Sequence, residues 1–194
     1  DNKIKPFLKL KKIAQERNLK IKQINNIFLK IKDFPLNLTG EFQIKNLSMA
    51  LIAAQMCGIK ISNIKKNLSK IKSVNGRLEL VKQFHNNNKV FVDYAHTPDA
   101  IYTALSSLKK KSNDKISIVF GCGGERDKNK RPLMTKEALK LSDKIIITDD
   151  NPRNEDPKKI RKEMISKIPQ NKLIHIKEVP NRKKAIQYCI NILE

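Results

Sequence analysis

The amino-acid sequence predicts an α/β protein in which a mainly parallel sheet, covered by helices, follows a smaller and mostly helical segment. Two observations carry this. Beyond Asn75-Gly76, short apolar runs alternate with stretches of helical pattern, the spacing of strands joined by helical crossovers. Those runs are continuously apolar, with little polar alternation, as strands buried on both faces are.

The elements follow in chain order. Residues 7–17 carry scattered Leu and Ile at helical spacing, and residues 21–31 fit strand or helix. Pro35 interrupts before a loop that ends at Thr39-Gly40. Residues 46–57 are rich in Ala and Leu and read as a buried helix stopped by Gly58. A second helix is expected over 62–71 with Ser62 as its N-cap. Asn75-Gly76 is a turn signal and marks the expected boundary between residues 1–74 and residues 75–194. Strands are then expected at 90–94, 116–120, 144–148 and 172–176. Helices are expected over 98–110, with Thr97 as N-cap and Pro98 at the first position, over 132–141, from Asp156-Pro157 toward Lys167, and over 181–193. The chain has no initiator Met, and it stops after a helix where the alternation calls for another strand. A segment of a longer protein is expected to look like this.

Composition limits the function classes. The chain has 194 residues and a net charge of +22. Such a charge suits an anionic partner, yet the basic residues are mostly Lys, spread along the whole chain, and aromatics are 5%. Stacking platforms for bases are scarce at that level, so a lysine-rich compositional habit accounts for the charge. A basic nucleic-acid-binding module remains the alternative from another class. No stretch is long and apolar enough to span a bilayer. Cys57, Cys122 and Cys189 lie far apart and form no metal pattern with His85, His96 or His175. They read as reduced thiols of a cytoplasmic protein.

Ligands of open parallel sheets bind beyond the carboxyl ends of the strands. Three polar clusters fall at such ends: Asp93-Tyr94-Ala95-His96-Thr97-Pro98, Gly121-Cys122-Gly123-Gly124-Glu125-Arg126-Asp127, and Asp149-Asp150-Asn151-Pro152-Arg153. The glycines permit left-handed backbone and close approach of a ligand, though taken alone they read better as a tight turn. Arg126, Lys128, Lys130 and Arg131 crowd the loop before a helix start. They suit an anion or form a solvated charge run. Asp150, Asn151 and Arg153 can grip a molecule with ammonium and carboxylate ends, or form an Asx turn with an exposed Arg.

Four motifs in order bring a resemblance with them. Asp93-Tyr-Ala-His-Thr-Pro-Asp-Ala100, Gly121-Cys-Gly-Gly-Glu-Arg-Asp-Lys128, Lys130-Arg-Pro132 and Asp150-Asn-Pro-Arg153 resemble the C-terminal half of the Mur ligases that add meso-diaminopimelate. Gly76-Arg-Leu-Glu79 is similar to the opening of that family's third domain. Gly40-Glu-Phe-Gln-Ile-Lys-Asn46 with the following Ala-rich helix resembles the end of its central ATPase domain. The resemblance covers about residue 35 to the C-terminus. It implies a Rossmann-like third domain over 75–194, lacking its last segment, behind an incomplete ATPase domain over 1–74. It also implies a cytoplasmic, monomeric ATP- and Mg2+-dependent amide ligase. Its substrates would be UDP-N-acetylmuramoyl-L-alanyl-D-glutamate and meso-diaminopimelate, with neither nucleic acid nor membrane as partner. In such a reaction the substrate carboxylate is phosphorylated by ATP, the amine attacks the acyl phosphate, and phosphate leaves. By motif match Arg126, Asp150, Asn151, Pro152 and Arg153 would hold diaminopimelate, and Arg153 would read the carboxylate that lysine lacks. Asn46, Arg77 and Asp93 would meet the adenine, phosphates and ribose of ATP, and His96 would line the same cleft. No protein nucleophile and no metal ligand is implied.

The sequence departs from that family at several points. Gln43 stands where the family has Asn. The glycine-rich phosphate loop, the carbamylated lysine, the uridine-nucleotide domain and the Gly-Lys-Gly-His-Glu segment have no counterpart in these 194 residues. Without a phosphate loop the triphosphate has no cradle of backbone N–H groups. The purified 194-residue chain is therefore expected to show no diaminopimelate-dependent phosphate release, and measurable release would contradict that.

Overall fold

The computed structural model describes residues 4–22, 38–111 and 114–192. The chain divides into two compact units, Asp1–Lys72 and Ser73–Glu194. The expected element at 21–31 lies outside the described residues beyond Lys22.

The first unit is helical where described. Helix α1 spans Ile4–Glu16. Helix α2 spans Glu41–Met56, starting five residues before the expected 46. Glu41 favours that earlier start, because a carboxylate in the first turn complements the helix dipole and lies 3.8 Å from Lys45. Gly58 ends the helix as expected. It takes a φ of 88° and donates its N–H to Gln55, while Ile59 donates to Ala54. The single helix expected over 62–71 is instead α3, Ile61–Lys65, followed by a 3-10 turn at Leu68–Lys70. Ser62 is not its cap: Lys60 holds that position without a side-chain bond. Asn67 breaks the run by turning its amide back onto the Asn63 carbonyl at 2.9 Å. The break leaves Leu68 buried against Leu51, with Ile44, Leu47, Ile64 and Ile71 around them.

The second unit opens with an antiparallel hairpin, β1 (Glu79–Gln83) and β2 (Lys89–Val92). This corrects two expectations. The strand at 90–94 was expected inside the parallel sheet and buried, whereas β2 is exposed or half-buried and belongs to a separate two-stranded sheet. Its partner β1 carries no strand signal that was read from the sequence. The cause is local pairing through the Asn86-Asn87-Asn88 turn. Asn87 adopts a φ of 65°, the Asn88 N–H bonds the Asn86 side chain, and Phe84 donates to the Asn88 carbonyl.

From there the alternation holds. Helix α4 is Pro98–Lys109, β3 Ser117–Phe120, α5 Lys130–Leu141, β4 Lys144–Ile147, α6 Pro157–Ile165, β5 Ile176–Glu178 and α7 Arg182–Asn191. Thr97, Asp156 and Asn181 cap α4, α6 and α7 by accepting backbone N–H groups two to three residues on. The strand expected at 172–176 is displaced: Gln170–His175 is a 3-10 segment and pairing starts only at Ile176, opposite Ile145. Ile174, which a buried strand would have enclosed, is 87% exposed.

Strands β3, β4 and β5 form a parallel sheet in that order. The alternating faces of β4 explain its unbroken Ile run. Ile145 and Ile147 pack with Ile101, Leu105, Phe120, Met134, Ala138, Ile160 and Met164, from β3 and helices α4, α5 and α6. Ile146 packs on the other side with Ala185 and Cys189 of α7. Such two-sided burial makes the sheet the centre of the unit. Ile145→Ala is expected to cost about 2–5 kcal/mol, while Ile174→Ala stays within about 0.5 kcal/mol. Urea denaturation of both variants checks the contrast.

Candidate functional site

Phe120 pairs with Ile147, so the loops after β3 and β4 leave the sheet at the same edge. This brings two of the three polar clusters together. The glycines between them serve backbone contact. A Cβ on Gly121 would lie 2.4 Å from the Thr148 carbonyl oxygen, and one on Gly124 would lie 1.8 Å from that of Pro152. The Gly124 N–H donates to the Asn151 carbonyl at 2.9 Å. Neither Gly121, Gly123 nor Gly124 has a positive φ; the left-handed residues are Glu125 (54°) and Arg153 (49°). Glycine is thus needed here for the neighbouring loop's approach rather than for left-handed backbone.

The two left-handed side-chain residues are held by bonds. The Arg153 N–H donates to the Asn151 side-chain oxygen at 3.1 Å, an Asx turn, and Asn151 N–H donates to Asp150 Oδ1 at 2.8 Å. Glu125 N–H donates to Glu155 Oε1 at 2.6 Å. Residues in such backbone regions cost about 1–3 kcal/mol each and persist where surrounding bonds over-determine them.

Arg153 lies across the glycine loop, its Nη1 donating to the Gly124 carbonyl at 2.5 Å. A Cβ on Gly123 would be 3.0 Å from that Nη1 and 3.9 Å from Arg126 Cγ. Two arginines therefore converge on Gly123. Both are exposed, as are Asp150 and Asn151, with Pro152 half-buried beside them. Arg153 Nε and Nη2 and the Arg126 guanidinium make no hydrogen bond among the described residues. The edge carries the Arg126 and Arg153 guanidinium groups and, on the same loop as Arg153, the Asp150 carboxylate, the kinds of group that bind a zwitterionic molecule carrying a carboxylate.

Arg131 is not part of that offer. Its side chain is 1% exposed and sits beneath the loops. It meets Glu155 through two parallel bonds of 3.0 Å, Glu163 at 2.5 Å and the Gly123 carbonyl at 3.2 Å. The sequence placed Arg131 among candidate anion contacts; its positive charge is already matched by two carboxylates. The sequence does not single out Glu155, Glu163 or Arg161, and it marks Asp149 only as part of the third polar cluster. Arg161 joins Asp149 to Glu178, tying the β4 loop to the end of β5. These partners lie 12 to 32 residues apart, so no local pattern announces them.

The remaining sequence-predicted residues fall elsewhere. Asp93 is half-buried and accepts the Leu78 N–H at 2.7 Å and the Ala95 N–H at 2.8 Å, fixing the left-handed, buried Leu78. Arg77 lies 5.0 Å from the Tyr94 ring centroid, and Tyr94 meets His96 edge-on at 5.4 Å. Arg77, Asp93 and His96 thus share one partly exposed cluster at the end of the hairpin, outside the three-stranded sheet. Asn46 is exposed on α2 in the first unit. Among the described residues no group of three His, Cys, Asp or Glu side chains is placed to hold a metal ion. No described helix is long and apolar enough to cross a membrane.

A parallel α/β unit with two guanidinium-bearing loops on one sheet edge has the layout of the open-sheet domains, whose ligands bind beyond the carboxyl ends of the strands. Residues 76–194 match the family model described as Mur ligase, glutamate ligase domain, and the chain belongs to that family. It is 46% identical over 180 residues to UDP-N-acetylmuramoyl-L-alanyl-D-glutamate--2,6-diaminopimelate ligase of Rickettsia bellii, covering 91% of this chain and 36% of that one. The protein of the same name from Agrobacterium fabrum is 37% identical, over 96% of this chain and 37% of its own. A solved structure of a ligase of this name superposes with a TM-score of 0.55 at 38% identity, covering 77% of this chain and 30% of that one. Folylpolyglutamate synthase of Mycobacterium tuberculosis, complexed with ADP, shares the fold at a TM-score of 0.65 and 19% identity, over 81% of this chain and 34% of its own. The chain spans about a third of the length of the relatives it matches.

The Glu155 carboxyl is held down to about 2 from an ordinary 4.5, first by its bonds to Arg131 and then by the Glu125 N–H. A depressed carboxyl stabilises the fold fully above its unfolded pKa, and this contribution fades as pH falls from about 4.5 toward 2. Urea midpoints of the unsubstituted chain should therefore drop more between pH 5 and pH 3 than those of Glu155→Gln. Parallel pH profiles would contradict this.

Proposed function

We propose that this chain forms the amino-acid-binding part of a cytoplasmic, ATP-dependent ligase that adds meso-diaminopimelate to UDP-N-acetylmuramoyl-L-alanyl-D-glutamate. The observation that carries the reading is the approach of the Arg153 guanidinium and the Arg126 side-chain stem to Gly123, with Asp150, Asn151 and Pro152 on the Arg153 loop. Relatives at 37–46% identity bear the name of that ligase, which agrees with the motif resemblance.

The substrate carboxylate takes the γ-phosphoryl group of ATP and ADP leaves. The amine of diaminopimelate then attacks the acyl phosphate, forming the amide and releasing phosphate and a proton. In this reading the chain's own residues position reactants and offset charge and supply no nucleophile. Asp150 and the Asn151 amide face the ammonium end of the amino acid, and Arg126 and Arg153 face its carboxylates. Arg77, Asp93 and His96 attend the nucleotide, and the first unit, which carries Asn46, corresponds to the end of the ATPase domain. Mg2+ would be held outside the described residues.

Arg153 carries the specificity. Diaminopimelate differs from lysine by one distal carboxylate, and discrimination needs a group that one substrate satisfies and the other strands. The free edge of the Arg153 guanidinium suits that carboxylate, and an ammonium there would be repelled. In a ligase carrying this segment, Arg153→Ala is expected to lose about 2–5 kcal/mol of binding, roughly 30- to several-thousand-fold in KM for diaminopimelate. The KM for ATP should stay nearly constant. Arg153→Lys should recover only part of the loss, since a point charge cannot reproduce the fork. Steady-state kinetics decide it: equal losses for both substrates would mean a structural role, and unchanged kinetics would remove Arg153 from the site.

A further inference from the structure

The geometry points to Arg131 and Glu155 as a positioning pair that sets the affinity of the amino-acid site without touching the amino acid. This rests on the reading of the two strand-end loops as that site. Arg131 stands in the first turn of α5, buried beneath both loops. Its Nη2 holds the Gly123 carbonyl, while Glu155 Oε1 holds the Glu125 N–H. These two bonds bracket the peptide that leads directly into Arg126. Glu155 itself follows Arg153 by two residues, so the same carboxylate anchors the second loop. Asn154 adds a bond of 2.5 Å to Glu125 Oε1.

The bidentate contact makes this pairing directional. Both Glu155 oxygens face Arg131 at 3.0 Å, which fixes the carboxylate plane and with it the line on which the Glu125 N–H must arrive. Glu163 clamps the other edge of Nη1 at 2.5 Å. Arg131 therefore cannot swing out to a ligand without giving up its bonds to both carboxylates, which leaves Glu155 only Lys128 at 3.5 Å and the Glu125 N–H. Buried pairs broken on one side leave an uncompensated charge, so the pair has one stable arrangement, and Arg126 and Arg153 inherit it. A misplacement of about 1 Å in a positioned group costs up to about 100-fold.

The test uses the 194-residue chain and two variants, Glu155→Gln and Arg131→Lys, with meso-diaminopimelate as the probe. Amide hydrogen exchange reads loop order, and titration calorimetry reads affinity. In Glu155→Gln, exchange at Gly124 and Glu125 should speed up about tenfold or more while the amides of β3 and β4 keep their protection. The Kd for meso-diaminopimelate should rise about tenfold or more in the same variant. Arg131→Lys, which keeps the charge but reaches one oxygen, should fall between it and the unsubstituted chain. Unchanged loop exchange and affinity would overturn the inference. So would loss of affinity with uniform loss of protection across β3 and β4, which would mark a general stability effect. If the unsubstituted chain bound no meso-diaminopimelate, the functional reading would fall, and the exchange arm would still decide whether the pair holds the loops.

Discussion

The carbonyl oxygen of Pro152 occupies the place where a side chain on residue 124 would begin. Much of the candidate site depends on that contact. Two parallel strands deliver two loops to one edge, but strands alone set them only a strand spacing apart. Glycine at 121 and 124 lets backbone lie against backbone, and the Gly124–Asn151 bond then locks the distance. Once the loops touch, Arg153 can cross to Gly124, Glu155 can reach Glu125, and Arg126 and Arg153 come to share Gly123. Remove the contact and the same residues are two unrelated solvated loops.

Charge is distributed in two layers around this contact. Beneath it, Arg131 and Arg161 are buried and matched by Glu155, Glu163, Asp149 and Glu178. Above it, Arg126 and Arg153 are exposed, and the sites on their guanidinium groups that point away from the protein can be met by a ligand. The buried layer supplies order, because paired arginines with fixed bonds cannot rearrange cheaply. In the proposed reading the exposed layer supplies recognition. A chain with a net charge of +22 still neutralises its buried arginines locally, which is why overall basicity says little about what the site binds.

The parts of the fold that were legible in the sequence are those encoded locally. Thr97 reads as a cap and acts as one, and Asp156-Pro157 and Asn181 read as helix starts and lie at helix starts; the Ile run at 144–148 reads as a doubly buried strand, and Lys144–Ile147 is one. The misreadings are those where pairing partners decide. Residues 90–94 have strand character in any setting, and only their pairing with residues 79–83 takes them out of the parallel sheet. The glycine loop was legible as special, but the occupant of its space proved to be a neighbouring loop's backbone. Glu155 was invisible for a similar reason: nothing within a turn of it signals a buried arginine 24 residues earlier.

The central claim is that the edge formed by residues 121–131 and 150–155 receives an amino acid with two carboxylates. The most direct test is a titration of the isotope-labelled 194-residue chain with meso-diaminopimelate and, separately, L-lysine, followed by amide chemical shifts. The account predicts saturable shifts at Gly123, Gly124, Arg126, Asn151 and Arg153 with diaminopimelate, and far weaker ones with lysine. Shifts confined to other residues, or equal responses to the two amino acids, would contradict it.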